Sequence, residues 1–312
     1  MRIVFIGTGE IGLPSLRALL AAPGHQLVGA VTQPDKPVGR EQRLTAPVIK
    51  TELAGTSVPI FQPARIRQED SVALLRALAP DLIVVMAYGQ ILPKSVLEIP
   101  RIACLNLHAS LLPKHRGAAP IQAAIAAGDT ETGITVIYMD EGLDTGDMLL
   151  QKTLLISPNE TGGSLHDRLA ALAPEALQSA LTLLAGGNAP RISQPAAEAT
   201  YAPKLTRENG KIDWSEPAEA IQRRLRAYDP WPGAFTQLTD GTGKIRNLKI
   251  FRGSVRQQDA GPPGNLFRPN DTEILVATGR GALRLEEVQL EGKRRMSADD
   301  FFRGFSSPRL HF

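Results

Sequence analysis

The stretch RIVFIGTGEIGLP, residues 2–14, opens the chain with an apolar run followed by Gly7, Gly9 and Gly12. The apolar run predicts a buried strand, the closely spaced glycines predict a tight turn, and the residues after them have the pattern of a helix. A strand, a glycine turn and a helix in this order are typical of the first unit of a parallel α/β sheet. The same glycine spacing occurs in dinucleotide-binding turns, so the stretch also raises the question of nicotinamide binding.

A dinucleotide site further requires an acidic side chain at the end of the second strand. Asp35 lies 23 residues after Gly12, but it follows Pro34 beyond the end of the apolar run at residues 26–31. Proline lacks a backbone donor and imposes an extended step, so we expect Asp35 to lie in a loop. We therefore favour a tight turn of a doubly wound sheet over a nicotinamide site.

Apolar runs alternate with amphipathic segments through the first half of the chain. The predicted strands are RIVFI, QLVGAV, VPIF, DLIVVMA, IACLNL and ITVIYM. Several of them are apolar on both faces, as strands covered by helices on both sides must be. The predicted helices are LPSLRALLAA, DSVALLRALA, APIQAAIAAG and a long segment that ends at Gly186 and Gly187. This alternation predicts an α/β domain over residues 1–190 with a mostly parallel sheet.

The composition changes after residue 190. Residues 188–205, NAPRISQPAAEATYAPKL, contain Pro190, Pro195 and Pro203 and little periodicity, which indicates a linker over residues 191–206. Beyond them come one helix, EPAEAIQRRLRAY, and the short β-type runs GAFTQL, KIRNLKIF, TEILVATG and GALRLEEVQL. The final SADDFFRGF is typical of a helix capped by Ser297. Short strands at close spacing predict a small OB-like β-barrel over residues 207–312.

The net charge of +3 on the 312-residue chain is unevenly distributed. Residues 1–190 carry 15 Lys and Arg against 17 Asp and Glu, whereas residues 191–312 carry 20 against 15. Clustered Lys and Arg favour partners that carry phosphates, because binding releases counterions from nucleic acid. No apolar run approaches the roughly 20 residues that span a bilayer, and the apolar start is too short for a secretory signal. We therefore expect a cytoplasmic protein.

The residues that suit catalysis lie in IACLNLHASLLPK, residues 102–114. Side chains alternate along a strand, so Asn106, His108 and Ser110 point to one face, at the carboxyl end where open α/β sheets bind ligands. An Asn amide can donate a hydrogen bond to a developing oxyanion, and a His side chain can donate a hydrogen bond or move a proton. Asn106 and His108 are therefore predicted to line an active crevice suited to acyl transfer.

Three aspartates follow in the glycine-rich loop DEGLDTGDML, which comes directly after ITVIYM. Such chemistry commonly uses a carboxylate to orient the imidazole. We expect Asp140, Asp144 or Asp147 to reach the crevice, because loops at one edge of a sheet converge.

Metal and nucleophile alternatives are weaker. His108 and His115 have no His partner at helical spacing, and Cys104 lies two pleats back from His108. A single cysteine excludes an internal disulfide and a multi-cysteine metal site. We interpret Cys104 as a small buried hydrophobe and expect no metal.

The segments NLHASLLPKHRGAAPIQ and GLDTGDML closely resemble the signature of the folate-dependent formyltransferases. Further matches, among them TQPDKPVGR, VVMAYGQILPK and RAYDPWPGA, extend over nearly the whole chain and resemble the branch that acts on methionyl-tRNA. The resemblance implies a Rossmann-like N-terminal domain that binds 10-formyltetrahydrofolate. It also implies that the C-terminal barrel helps to hold initiator methionyl-tRNA.

The resemblance also implies roles for individual residues. Asn106, His108 and Asp144 match the catalytic residues of the family. The positions that match its folate-binding segment are Ser110, Leu111, Leu112 and Pro113. The implied reaction is attack of the methionyl amine on the formyl carbon through a tetrahedral intermediate, with the oxyanion stabilised by Asn106 and His108.

The segment from residue 36 to residue 50 is cationic, and it reads as a flexible loop beside the crevice that is suited to phosphates. The resemblance implies tRNA binding by Lys36, Arg40 and Arg43, with Arg40 at the position of the family's key arginine. The chain departs from the family after Arg40: the family usually continues with Gly and two lysines, whereas this chain continues with Glu41 and Gln42, which reduce the charge. It departs again at residue 115, where His replaces a commonly aromatic residue, and in the first glycine turn.

We therefore expect a monomeric cytoplasmic enzyme that formylates methionyl-tRNA for translation initiation, with no membrane partner. Three alternatives stay open: a formyl transferase for an amino-sugar nucleotide, an NAD(P)-dependent oxidoreductase, and a nucleic-acid-binding protein without catalysis. Salt-dependent tRNA binding distinguishes the first alternative, and tight nicotinamide binding distinguishes the second. The intact set of Asn106, His108 and Asp144 argues against the third.

Overall fold

The computed structural model describes residues 1–39, 41–239, 243–258, 261–270, 273–303 and 309–311. For residues 309–311 it describes the backbone only. The chain divides into two compact units. The segments of unit 1 are Met1–Pro120, Glu131–Leu155 and His166–Ala202. The segments of unit 2 are Ile121–Thr130, Ile156–Leu165 and Pro203–Phe312. Two short segments from the first half of the chain thus pack with unit 2, whereas the sequence predicts two contiguous domains.

Residues 1–202 contain eleven described strands and six described α-helices. The strands are β1 (Arg2–Gly7), β2 (Gln26–Val31), β3 (Lys36–Val38), β4 (Arg43–Thr45), β5 (Ile60–Phe61), β6 (Leu82–Met86), β7 (Ala103–His108), β8 (Arg116–Gly117), β9 (Glu131–Tyr138), β10 (Met148–Leu155) and β11 (Tyr201–Ala202). The helices are α1 (Leu13–Ala21), α2 (Val48–Glu52), α3 (Glu69–Ala77), α4 (Lys94–Leu97), α5 (Pro120–Ala127) and α6 (Gly162–Ala185).

The main sheet of unit 1 has seven strands in the order β10-β9-β7-β6-β1-β2-β5. The five strands from β7 to β5 are parallel, while β9 runs antiparallel to β7 and β10 antiparallel to β9. The predicted mostly parallel α/β sheet is confirmed, and each of the six predicted strand runs contributes a strand. The antiparallel strands follow from connectivity, because β9 and β10 are consecutive and joined by a short loop.

The glycine turn after β1 is shaped by close packing. A Cβ atom at Gly7 would lie 2.7 Å from the Phe5 ring and 2.8 Å from the carbonyl oxygen of Met86. The backbone amides of Thr8 and Gly9 donate to the carbonyl oxygen of Ala87, at 3.2 and 3.3 Å. Two amides that a dinucleotide-binding turn would offer to a pyrophosphate are therefore bonded within the protein.

The segment predicted as a linker is paired with unit 1 along much of its length. Ile192 exchanges two backbone hydrogen bonds with Met148, and β11 pairs in parallel with β8. Pro195 and Pro203 lack the backbone donor that strand pairing requires, and the pairs that form are short. Low periodicity here therefore indicates irregular structure that is nevertheless attached to the domain.

Unit 2 adds a helical and β-rich C-terminal part with its own core. Its further elements are α7 (Ala218–Ala227), β12 (Ala234–Thr239), β13 (Ile245–Arg256), β14 (Leu266–Asn270), β15 (Glu273–Ala277), β16 (Ala282–Leu290), β17 (Met296–Ser297), α8 (Ala298–Arg303) and β18 (Arg309–His311). The antiparallel strand order is β14-β15-β16-β13-β12-β18, with β17 paired to β16. The expected small barrel-like β domain is confirmed.

The core of unit 2 forms around one tryptophan. Trp214 is fully buried, and it belongs to an apolar cluster with Ile221 and Leu225 from α7 and Phe302 from α8. Its indole nitrogen donates to Thr236 Oγ1 at 3.1 Å, so the buried polar atom is satisfied. Ser297 accepts a hydrogen bond from the Asp300 amide at 3.1 Å, which confirms it as the cap of the last helix.

No helix within the described part of the chain is both long and apolar enough to cross a membrane.

Replacement of Gly7 by Ala tests the close packing at the glycine turn. The new methyl group meets the backbone of Met86, so we expect the free energy of unfolding to fall by about 1–3 kcal/mol. Gly9→Ala is the matched control, because its Cβ would lie no closer than 3.4 Å to any neighbour. Urea unfolding followed by circular dichroism measures both variants, and equal stabilities would contradict this account.

Candidate active site

The carboxyl end of β7 presents two polar side chains on one face. Asn106 is half-buried, whereas His108 is only 5% exposed. Cys104 lies further back on the same face, inside an apolar cluster. Burial raises the pKa of the Cys104 thiol to about 12, which confirms it as an inert core residue rather than a nucleophile. Among the residues that the structure describes, no group of three or more His, Cys, Asp or Glu side chains could hold a metal ion.

The carboxylate of Asp144 joins the two polar residues of β7. The Asn106 side-chain amide donates to Asp144 Oδ1 at 3.2 Å, and His108 Nδ1 lies 3.5 Å from Oδ2. The backbone amide of Gly117 donates to the same Oδ2 atom at 2.9 Å. The structure therefore brings together Asn106, His108 and Asp144, which the sequence analysis selected separately.

The chain brings Asp144 to His108 in a different way from the one that the sequence predicts. The register pairs Leu105 with Tyr138 and His108 with Thr135, so the carboxyl end of β9 lies beside the amino end of β7. The expectation that the two strands end at the same edge was wrong, because β9 is antiparallel. The Asp144 loop, residues 139–147, instead folds back to the polar face of β7.

The other two aspartates of the Asp144 loop have separate partners. Asp140 accepts hydrogen bonds from the Thr145 hydroxyl at 2.7 Å and from the Gly142 amide at 3.1 Å. Asp147 accepts one from Ser193 at 3.2 Å and lies 3.9 Å from Arg191. Of the three carboxylates, only Asp144 faces His108.

The backbone of the Asp144 loop is held in a specific conformation. Asp144 itself has a φ of 53°, in the left-handed region that Asp adopts more readily than most side chains. At Gly146 a Cβ would collide with the carbonyl oxygen of Tyr138, so no side chain fits there. Backbone conformations of this kind cluster at functional sites, where neighbouring contacts hold them.

A backbone contact shows which nitrogen of the His108 ring carries a hydrogen. Nε2 lies 2.9 Å from the carbonyl oxygen of His115, which can only accept, so Nε2 carries a proton and donates it. Nδ1 then faces the Asp144 carboxylate, which lies 3.5 Å away and orients the ring. His115 contributes through its main chain, so its departure from the family's aromatic residue leaves this contact intact.

The segment from Ser110 to Pro113 is anchored by two residues that the sequence analysis missed. Thr135 on β9 donates to the Ser110 carbonyl at 2.6 Å and accepts from the Leu112 amide at 3.1 Å. Gln151 on β10 donates to the Leu112 carbonyl at 2.8 Å. Ser110 is fully buried and its hydroxyl donates to the Lys114 carbonyl at 2.6 Å, while Leu111 is half-buried. The anchoring residues belong to neighbouring strands, so only the pairing of β9 and β10 could have revealed them.

The predicted cationic loop contains a short hairpin with exposed side chains. Lys36 on β3 and Arg43 on β4 lie at opposite ends of the pairing, opposite Thr45 and Val38. Arg40, the third predicted tRNA-binding residue, lies outside the described residues. The strands show that this segment is partly ordered rather than a flexible loop throughout.

Two charges at the base of the hairpin neutralise one another. Lys50 lies 2.8 Å from Asp35, which also accepts a hydrogen bond from Gln62 at 2.7 Å. The Gln62 amide and the Lys50 ammonium hold the pKa of Asp35 below its usual value. Asp35 is thus committed to internal partners rather than to a ribose, and Lys50 does not offer an uncompensated charge.

Comparison with known proteins identifies the family. The family model described as "Formyl transferase" matches residues 1–181, and "Formyl transferase, C-terminal domain" matches residues 204–306. The chain belongs to the formyl transferase family. It is therefore an enzyme that transfers a one-carbon group, and the resemblance seen in the sequence is confirmed.

Relatives within the formyl transferase family match along the full length. A methionyl-tRNA formyltransferase of Akkermansia muciniphila is 48% identical over 314 residues, covering 100% of this chain and 99% of its own. A protein of the same name from Geobacter metallireducens is 46% identical over 304 residues, covering 97% of this chain and 96% of its own. The glycine turn therefore belongs to a formyl transferase, and the oxidoreductase alternative is set aside.

Solved structures share the fold at low identity. WlaRD, a sugar 3N-formyl transferase solved with dTDP and 5-N-formyl-THF, has a TM-score of 0.67 at 17% identity, covering 94% of this chain and 99% of its own. HypX from Aquifex aeolicus, solved with tetrahydrofolic acid, has a TM-score of 0.61 at 18% identity. This chain spans about half of HypX, with 97% of this chain and 47% of that one covered.

Two threonines on β9 test the anchoring of the Ser110–Pro113 segment. Thr135→Val leaves the buried Leu112 amide without its acceptor, so we expect the free energy of unfolding to fall by about 1–3 kcal/mol. Thr132→Val is the matched control: Thr132 is 2% exposed and its hydroxyl has no hydrogen-bond partner, so its removal should leave stability unchanged or raised. Chemical unfolding compares the pair, and a larger loss at Thr132 would refute the anchoring.

Proposed function

We propose that the protein transfers the formyl group of 10-formyltetrahydrofolate to the amino group of initiator methionyl-tRNA, for translation initiation. Support comes from relatives named methionyl-tRNA formyltransferase, 44–48% identical over 94% or more of their own length. The observation that carries the proposal is the meeting of Asn106, His108 and Asp144 at one carboxylate. The expected place of action is the cytoplasm, where aminoacyl-tRNA is made.

The reaction exchanges one carbon–nitrogen bond for another. The methionyl amine attacks the formyl carbon, giving a tetrahedral intermediate with a negative oxygen. The bond from that carbon to N10 of the folate then breaks, the amine loses a proton, and N10 gains one. The protein must therefore stabilise an oxyanion and manage one proton, and both tasks suit an amide beside an imidazole–carboxylate pair.

Each of the three side chains has a distinct task in this scheme. Asn106 uses one amide hydrogen on Asp144, which orients the side chain and leaves its second hydrogen for the oxyanion. His108 would offer its Nε2 hydrogen to the oxyanion by sharing it with the His115 carbonyl, and Asp144 faces Nδ1 at 3.5 Å and orients the ring. The Gly117 amide holds the Asp144 carboxylate in place, which limits its reorganisation during the reaction.

The folate would bind along the Ser110–Pro113 segment. Its main chain is held by Thr135 and Gln151, so the segment offers a fixed surface beside His108. Ser110 and Leu112 are buried beneath that surface, which favours backbone and Leu111 contacts over a direct bond from the Ser110 hydroxyl. No metal is required for this chemistry.

The tRNA would contact the hairpin and the basic second half of the chain. Lys36 and Arg43 are exposed on adjacent strands, and Arg40 lies between them in sequence. Two exposed cations on this short hairpin, and a third in the sequence between its strands, suit phosphate contacts, which position a nucleic acid without reading its sequence. The Asp35–Lys50 ion pair would anchor the base of this hairpin to the domain.

A second candidate function is formylation of an amino-sugar nucleotide. The observation in its favour is the shared fold with sugar N-formyltransferases at 15–19% identity. Labelled 10-formyltetrahydrofolate offered with methionyl-tRNA, and separately with an amino-sugar nucleotide, decides between them. We expect label only in methionyl-tRNA; transfer to the sugar nucleotide alone would reverse the assignment.

Removal of the Asn106 amide tests the oxyanion role. Loss of one such donor typically costs two to three orders of magnitude, so Asn106→Ala should lower kcat about 100-fold or more. Cys104→Ala is the control, because it lies on the same strand face but contacts none of the three residues, and its kcat should stay near wild type. Turnover close to normal in a folded Asn106→Ala protein would remove the proposed role.

Removal of the Arg40 charge tests the tRNA surface. Arg40→Ala should raise KM for methionyl-tRNA far more than KM for the folate, and reduce the salt dependence of tRNA binding by about one counterion. Arg101→Ala is a matched control of equal charge change: Arg101 pairs with Asp81 at the amino edge of the sheet, away from the site. Equal effects on both substrates, or equal effects of the two variants, would count against the hairpin.

A further inference from the structure

Residues 191–202, here called the crossing segment, contact both loops that surround the catalytic residues. Toward the Asp144 loop, Arg191 lies over the Tyr138 ring at 3.8 Å, and Ile192 pairs with Met148. Toward the residues after His108, the amides of Ala118 and Ala119 donate to Ala202. One short stretch of chain therefore touches the two parts of the site that are distant in sequence.

Gln194 in the crossing segment makes four hydrogen bonds with its side chain. Its Nε2 atom donates to the carbonyl oxygens of Asp144 at 2.8 Å and of Gly146 at 2.7 Å. Its Oε1 atom accepts from Arg116 Nε at 3.0 Å and Nη2 at 2.7 Å. Every hydrogen of the amide nitrogen is used, so the side chain is saturated.

Arg116 determines which way the Gln194 amide points. A guanidinium can only donate, so the amide oxygen must face Arg116 and the nitrogen must face the loop carbonyls. Arg116 is 6% exposed, so this charge–amide contact is shielded from water and strong. The two carbonyls therefore receive donors in a fixed geometry.

The crossing segment also fixes the residue that contacts His108. The His115 amide donates to Thr200 Oγ1 at 2.8 Å, and the Thr200 carbonyl accepts from the Arg116 amide at 2.8 Å. The His115 carbonyl in turn accepts from His108. Thr200 thus holds one side of the site while Gln194 holds the other.

We propose that Gln194 is the positioning residue that holds Asp144 in its catalytic place, a role that rests on the proposed function. The Asp144 carboxylate can meet Asn106, His108 and the Gly117 amide only if its backbone keeps the left-handed conformation. Gln194 bonds the carbonyl of Asp144 itself and the carbonyl of Gly146, two residues further along the loop. Small displacements of a catalytic group can cost up to about 100-fold in rate, so this support has a measurable effect on turnover.

Gln194→Ala removes both donors and should lower kcat by about 10- to 100-fold, with KM for both substrates within about twofold of wild type. Gln194→Glu keeps an acceptor for Arg116 but presents an oxygen to the two carbonyls, so its kcat should fall as well. Ser193→Ala is the matched control, since Ser193 is exposed and contacts Asp147 alone, and it should behave as wild type. A folded Gln194→Ala protein with unchanged kcat would overturn the proposal.

A double-mutant cycle separates positioning from general structure. If Gln194 acts through Asp144, adding Gln194→Ala to Asp144→Asn should slow the enzyme by less than about twofold beyond Asp144→Asn alone. Losses that multiply in the double variant would show that Gln194 acts elsewhere, and would overturn the inference.

Hydrogen exchange of the free protein provides a readout that needs no activity. Amides of residues 140–147 should exchange faster in Gln194→Ala than in Ser193→Ala, while amides of β1 stay protected in both. Equal exchange in the two variants would refute positioning by Gln194, whatever the activity. A wild-type protein that transfers no formyl group, or an Asp144→Asn variant with normal kcat, would instead refute the proposed function.

Discussion

The site depends on one carboxylate that accepts two hydrogen bonds and faces an imidazole. Asp144 receives the Asn106 amide and the Gly117 backbone amide, and it faces His108 at 3.5 Å. Hydrogen bonds to both of its oxygens offset the cost of burying this polar group. The strand end, the loop after His108 and the antiparallel return after β9 all converge on it. The surrounding fold can be understood as the frame that keeps these donors fixed.

Much of the fold follows from local sequence patterns, and the exceptions have physical causes. The apolar runs predicted β1 and β7 because parallel strands are buried on both faces. The short hairpin of β3 and β4 was not predicted, since its residues are exposed and carry no apolar alternation. The direction of β9 was also not predicted, because strand direction depends on the connection to β7 and not on the composition of either strand.

The residues of the candidate site also divide into those that local sequence patterns predict and those that only the tertiary structure reveals. Asn106 and His108 could be selected from alternation alone, since polar side chains at a buried strand end need a reason. Asp144 could be chosen over Asp140 and Asp147 only by family resemblance. Thr135 and Gln194 were missed, because an alternating strand and a proline-rich segment give no local sign that a side chain supports a distant loop. Supporting contacts of this kind arise from tertiary structure.

Because the crossing segment comes late in the chain, the parts of the site are synthesised in a fixed order. Asn106, His108 and Asp144 are all synthesised before residue 145, yet Gln194 and Thr200 emerge only after the whole of α6. A nascent chain that has completed its catalytic residues therefore still lacks the contacts that orient them. Long-range contacts are formed late in folding because the intervening chain must first be ordered. Synthesis itself would thus delay the appearance of a competent site until the first unit is complete.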